Sequence, residues 1–259
     1  MDLILLAVAV GLLVGLLVGL TGVGGGALLV PILVLCLHIS PIVAVGTGAL
    51  FITVTKIGAA CSYYRKNLVD VRLALRMAMG SLPGAALGVG GLGLVRAHMG
   101  ENVNSFLKLF IGILLILTPG LAFLQSYLKR TGKKSLRDRL PKWITPESGA
   151  VVVGLIGGLL VGMTSMGSGS VIMTLLVLFY SRPLPTLVGT DIAHAVILGT
   201  VAGAGHLALG TPDFRLLAAL LIGSIPSAWY AANIATKVQV SWLRAVLFAL
   251  IFVAGLLML

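Results

Sequence analysis

Residues 21–26, TGVGGG, and residues 164–170, TSMGSGS, interrupt two long apolar runs that would otherwise be continuous helix. Glycine in a helix interior costs about 1 kcal/mol relative to alanine, so a cluster of glycines predicts an unwound turn. In hydrocarbon, unwound backbone persists only where it is buried in protein or lines a wet cavity. A broken helix also presents N–H groups at the positive end of a half-helix dipole, which suits an anion. Two such breaks facing each other near the middle of a bilayer would form a binding site. One break contributes Thr21, Gly22, Gly24, Gly25 and Gly26; the other contributes Thr164, Ser165, Gly167, Ser168, Gly169 and Ser170.

The composition around these breaks fits a bilayer. Of 259 residues, 59% are apolar and 10% charged, with a mean hydropathy of +1.14. Soluble domains carry about 25% charged residues. The formal net charge of +11 does not point to nucleic acid, because seven of the 18 basic residues lie between Lys129 and Lys142. Such a run is what the positive-inside rule expects of a cytoplasmic loop. The N-terminus lacks the basic flank of a cleavable leader and reads as a retained membrane helix. Cys36 and Cys61 have no CxxC spacing and read as inert buried thiols, and nothing calls for a metal or cofactor.

A bilayer core of about 30 Å needs roughly 20 apolar residues per helix. Eight hydrophobic segments are expected, at 3–37, 42–64, 71–95, 103–124, 148–180, 184–209, 214–235 and 240–259. As straight helices the first and fifth would run about 50 Å, so each is read as two pieces joined at its glycine break. The result is an all-α polytopic membrane protein of about ten helices.

The chain is also duplicated in frame, with the offset of 143 residues that carries Thr21 onto Thr164. Gly46-Thr47 falls on Gly189-Thr190, Asp70 and Arg72 on Asp213 and Arg215, and Gly80-Ser81 with Pro83 on Gly223-Ser224 with Pro226. Shared apolar composition does not generate D-x-R and G-S-x-P matches in one frame. The expected division is an N-terminal repeat at 1–124, a basic cytoplasmic linker at 125–147 and a C-terminal repeat at 148–259. If each broken segment turns back at its glycines, each half crosses three times and the halves are inverted. Loop charges favour this arrangement, since it places Arg65, Lys66, Arg182 and Lys237 on the side of the basic loop. Repeats of this kind build secondary transporters, with the site at their interface.

Ionisable groups at membrane depth are functional candidates. Asp191 lies about eight residues into the sixth segment with His194 one turn further on, and Thr190 precedes it. The Asp/His pair could relay a proton or simply fix the helix. Lys56 could offer a cation to an anion or to Asp191, or snorkel to the interface. Thr47 and Thr190 join the candidate binding residues through the repeat. His206 reads as interfacial, and His38 and His98 as loop residues. Asp70 and Asp213 read as helix caps, and Gly11, Gly15 and Gly19 as close-packing positions.

Taken together, the small-residue break in each half, V-G-T, D-x-R, G-S-x-P and the duplication resemble the sulfite exporter TauE/SafE family, also called the 4-toluene sulfonate uptake permease family. The stretch GTDIAHAVILGTVAGAGHLALGTPDF followed by GSIPSAWYAA is similar to the second half of that family. The resemblance implies a multi-pass carrier in a bacterial or archaeal inner membrane for sulfite, sulfoacetate or another organosulfonate. It depends on the bilayer and leaves room for coupled protons and a homodimer. Ser168 and Ser170 depart from the family's usual glycines, and Thr174 stands opposite Pro31, which bears on anion preference. An anion channel or uncoupled facilitator is the alternative. An intramembrane hydrolase pairing Ser168 or Ser170 with His194 or His206 is a further one, against which the duplicated break argues.

Overall fold

The computed structural model describes residues 3–22, 25–130, 146–166, 169, 171–180, 182–235 and 241–259. Among these, ten α-helices and no strand are found. They are α1 (Leu3–Thr21), α2 (Gly25–Pro31), α3 (Pro41–Arg65), α4 (Val71–Met99), α5 (Val103–Arg130), α6 (Pro146–Thr164), α7 (Val171–Phe179), α8 (Leu184–Ala208), α9 (Phe214–Ile234) and α10 (Ser241–Met258). A π-helical turn, Ile32–Cys36, prolongs α2, and a 3₁₀ turn, Gly100–Asn102, links α4 to α5. The expected eight segments with two breaks therefore appear as ten helices. Five of the described helical stretches are long and apolar enough to cross a membrane. Exposed side chains such as Leu12, Leu75, Leu87, Ile113, Ile222 and Leu256 give the bundle an apolar exterior, as a protein surrounded by lipid requires.

Moved by 143 residues, the bounds of α1 and α3 become those of α6 and α8, and the start of α4 becomes that of α9. Packing follows the same frame, but across it. Gly11, Gly15 and Gly19 of α1 meet Leu220, Ser224 and Ala228 of α9 in turn. Gly154, Gly158 and Gly162 of α6 meet Met77, Ser81 and Ala85 of α4 in turn. At each of these six glycines a Cβ would overlap the neighbouring backbone. Lipid offers no hydrophobic drive for helix association, so close backbone contact through small residues does that work.

Both helix pairs run side by side in the same direction, and this orders the ends of the molecule. Ile42 N donates to Asn104 Oδ1 at 3.2 Å and Arg96 to the Leu209 carbonyl at 2.8 Å, which gathers the junctions near residues 40, 100 and 210. Lys66 Nζ donates to the Ala232 and Asn233 carbonyls, and Arg182 lies 3.4 Å from Asp70, at the opposite end. Helix α1 starts at the first end, beside the start of α9, and α2 with its π turn leads back to it. Helix α6 starts at the second end, beside the start of α4, and α7 leads back there. Two hydrophobic cores result. One joins α1, α2, α5, α9 and α10 with the first half of α3; the other joins α4, α6, α7 and α8 with the second half of α3 and the ends of α1 and α9.

Some boundaries differ from expectation. Helix α5 runs to Arg130, into the stretch read as linker, because its apolar pattern grades into Gln, Tyr and Lys, which are compatible with helix. His98 sits in the last turn of α4 rather than in a loop. Most of the basic run, residues 131–145, lies outside the described residues.

Candidate functional site

Both breaks are present. Helix α1 ends at Thr21, Gly22 follows at φ +65°, and α2 begins at Gly25. Helix α6 ends at Thr164, followed by Ser165 at φ +54° and later Gly169 at φ +82°, before α7. Gly22 and Ser165 occupy equivalent positions in the repeat, so the chain leaves both helices by the same left-handed step. Glycine takes that step without strain, whereas an L side chain costs roughly 1–2 kcal/mol. Ser165 offsets this by donating its hydroxyl to the Val45 carbonyl of α3. Gly22 lies against Val188, the repeat counterpart of Val45. Gly24, Gly167, Ser168 and Ser170 lie outside the described residues.

The two breaks touch. Gly26 packs so closely on the Ser165 carbonyl that a Cβ would overlap it, and Gly25 faces Phe51 and Ile52, halfway along α3. Thr21 Oγ1 donates to the Leu17 carbonyl at 2.7 Å and Thr164 Oγ1 to the Leu160 carbonyl at 2.7 Å. Thr164 also accepts from Met166 N at 3.2 Å. These hydroxyls close the helix ends they terminate.

The hydroxyls of Thr47 and Thr190 bond to helix caps rather than to the breaks. Thr190 Oγ1 accepts from the Asp70 amide at 2.9 Å, and Thr47 Oγ1 from the Asp213 amide at 3.0 Å. Asp70 caps α4 by accepting from Leu73 N, and Asp213 caps α9 by accepting from Arg215 N and Leu216 N. Each threonine thus holds the cap of a helix from the other repeat, a pair of latches at opposite ends of the molecule.

A buried ionic cluster adjoins the second break. Lys56 Nζ of α3 stands 3.6 Å from Asp191 Oδ2 of α8, both side chains fully buried. Asp191 Oδ1 accepts the Gly169 amide at 3.2 Å, so a carboxylate already occupies that N–H. His194 Nε2 is 2.8 Å from Ser81 Oγ of α4, and its Nδ1 has no hydrogen-bond partner among the described residues. Lys56 therefore does not snorkel. His206, read as interfacial, is buried instead, with Nε2 3.0 Å from the Gly162 carbonyl and Nδ1 3.2 Å from Thr211 Oγ1.

The cluster breaks the repeat. The counterparts of Asp191 and His194 are Gly48 and Phe51, and that of Lys56 is Gly199. Ser81 was not singled out as a site residue from sequence, although G-S-x-P repeats in frame; its twin Ser224 bonds Thr55 at 2.8 Å. A cavity of about 470 Å³ lined by Val34, His38, Ser40, Asn104 and Lys108 lies at the first end of the molecule and includes none of these residues.

The chain can be set beside known proteins on this geometry. The family model described as "Sulfite exporter TauE/SafE" matches residues 7–258. The probable membrane transporter protein YjnA of Bacillus subtilis (strain 168) is 34% identical over 96% of this chain and 97% of its own length. The probable membrane transporter protein YdhB of the same organism is 26% identical over 98% of this chain and 100% of its own. No solved structure gives a significant match. The broken helices, the apolar exterior and a match spanning nearly the whole sequence converge on one conclusion: the chain belongs to the sulfite exporter TauE/SafE family and is a multi-pass membrane transporter, not an enzyme.

Proposed function

We propose that this transporter carries a small sulfur-containing anion, such as sulfite, sulfoacetate or another organosulfonate, across the inner membrane by alternating access. The observation that carries the reading is the meeting of the two helix breaks beside a fully buried lysine, Lys56. Unwound backbone supplies N–H donors and Lys56 supplies positive charge, the two ingredients an oxyanion needs in a low-dielectric setting. The family description points to the same class of cargo.

Inverted repeats fit the directions of the helices. The α1–α2 hairpin leaves and rejoins one end of the molecule, and α6–α7 the other, so each half contributes three net crossings. The domain division at 1–124, 125–147 and 148–259 is kept as the evolutionary unit. It is not the moving unit, because α1 is seated along α9 and α6 along α4. Access alternates between the α1/α9 body and the α4/α6 body, with α3 and α8 between them.

Uptake of labelled sulfite, sulfoacetate and ethanesulfonate into proteoliposomes tests the reading. Expected are saturable uptake and acceleration of entry by unlabelled anion inside. Flux that is linear in concentration and shows no such acceleration would instead mark a channel. Wild-type rates from a Thr21/Ser165/Ser168 triple alanine variant would remove the breaks as the binding site.

A further inference from the structure

Asp191 is a buried carboxylate placed where the anion's charge would have to go. It already holds two attractions that a guest at the second break would use: the Lys56 ammonium at 3.6 Å and the Gly169 amide at 3.2 Å. The repeat puts Gly48 at the equivalent place in the first half, so the frame itself does not require a carboxylate. Burying a further negative charge beside an ionised Asp191 would leave the pocket uncompensated, which is strongly unfavourable.

We propose that Asp191 is an internal competitor of the transported anion and that a proton on Asp191 is the condition for anion binding. The proposal rests on the transport reading above. With the site empty, Lys56 and Asp191 sum to zero charge. One proton taken up by Asp191 and one monoanion facing Lys56 again sum to zero, so proton and anion enter together and leave together. The cargo's oxygen replaces the carboxylate oxygen at Lys56 Nζ and the Gly169 N–H. The protonated Asp191 becomes a hydrogen-bond donor towards the guest. Among the described residues, the titratable groups near this carboxylate are Lys56 from α3 and His194 from its own helix, the latter one turn away and bonded to Ser81 of α4. The movement is an electroneutral symport of one proton per monoanion.

Ethanesulfonate is a suitable probe because it stays a monoanion from about pH 5.5 to 8.5, well above the range in which such acids titrate. In wild-type proteoliposomes carrying a pH dye inside, its entry is expected to acidify the lumen with one proton per anion. An inward proton gradient should concentrate it about tenfold per pH unit. Purified Asp191→Asn is expected to bind ethanesulfonate with an affinity that no longer changes with pH, whereas wild-type affinity weakens as pH rises. Entry of ethanesulfonate without luminal acidification overturns the coupling while leaving the transport reading intact. So does an Asp191→Asn protein whose affinity keeps the wild-type pH dependence. Absence of counterflow of sulfite, sulfoacetate and ethanesulfonate by wild type overturns the transport reading and this proposal with it. The wild-type dye measurement stands whether or not the variant folds.

Discussion

Lys56 and Asp191 are each other's justification for being inside the protein. Removing one partner of a buried ion pair leaves an uncompensated charge and costs about 3–5 kcal/mol. Lys56→Met is therefore expected to lower the melting temperature sharply in a detergent thermal-shift assay, with Lys56→Met/Asp191→Asn recovering much of the loss. Ser165 offers a second test at this scale. Ser165→Gly loses the bond to Val45 and also relieves the left-handed strain, so its net effect should stay within about 1 kcal/mol. Ser165→Ala keeps the strain and loses the bond, and should melt earlier than Ser165→Gly. The presence of charge at depth was legible from Lys56, Asp191 and His194 lying within apolar runs. Asp191 was one of three roles open to Lys56, and the choice among them, like the bond from His194 to Ser81, needed tertiary packing, because it joins residues on α3, α8 and α4. His206 shows the same limit: its partner carbonyl, Gly162, is 44 residues away in sequence.

Helix ends and helix seams were legible to different degrees. The breaks could be placed because glycine density is a local signal. Hydropathy placed the segments that hold α6 and α8, and the in-frame repeat recurs in their bounds, which are those of α1 and α3 moved by 143 residues. The exchange of partners, α1 with α9 and α6 with α4, could not be read. Gly11, Gly15 and Gly19 mark the packed stripe of α1, but a stripe of small residues does not say which helix it meets. Substitution distinguishes packed glycines from open ones. Gly11→Ala or Gly154→Ala would drive a methyl into the facing backbone and should cost about 1–3 kcal/mol, seen as earlier melting and a broadened elution profile. Gly90→Ala and Gly91→Ala meet nothing within 4 Å, and each should stabilise α4 by up to about 1 kcal/mol. The latches belong here too. Thr47→Val and Thr190→Val each strip an acceptor from a cap amide and should cost about 1–3 kcal/mol. Their effects should add in the double variant, since they act at opposite ends of the molecule.

For the whole molecule, the proposed inverted arrangement makes a statement about sides. Cys36 and Cys61, expected to be buried, are exposed on the outer surface of the helices; after both are replaced by alanine, single cysteines at Glu101→Cys and Arg182→Cys report opposite faces. A membrane-impermeant maleimide should label Glu101→Cys on intact cells and Arg182→Cys only in inverted vesicles. Labelling of both from one side would rule out the inverted reading. The crossed seating of α1 on α9 has a consequence for biogenesis as well. Helix α1 has no α9 to seat on until Phe214–Ile234 has been made, whereas α4 receives α6 after a much shorter interval. During that wait the furrow of Gly11, Gly15 and Gly19 faces acyl chains, so the newborn N-terminal portion is an unfinished object that only late translation can complete.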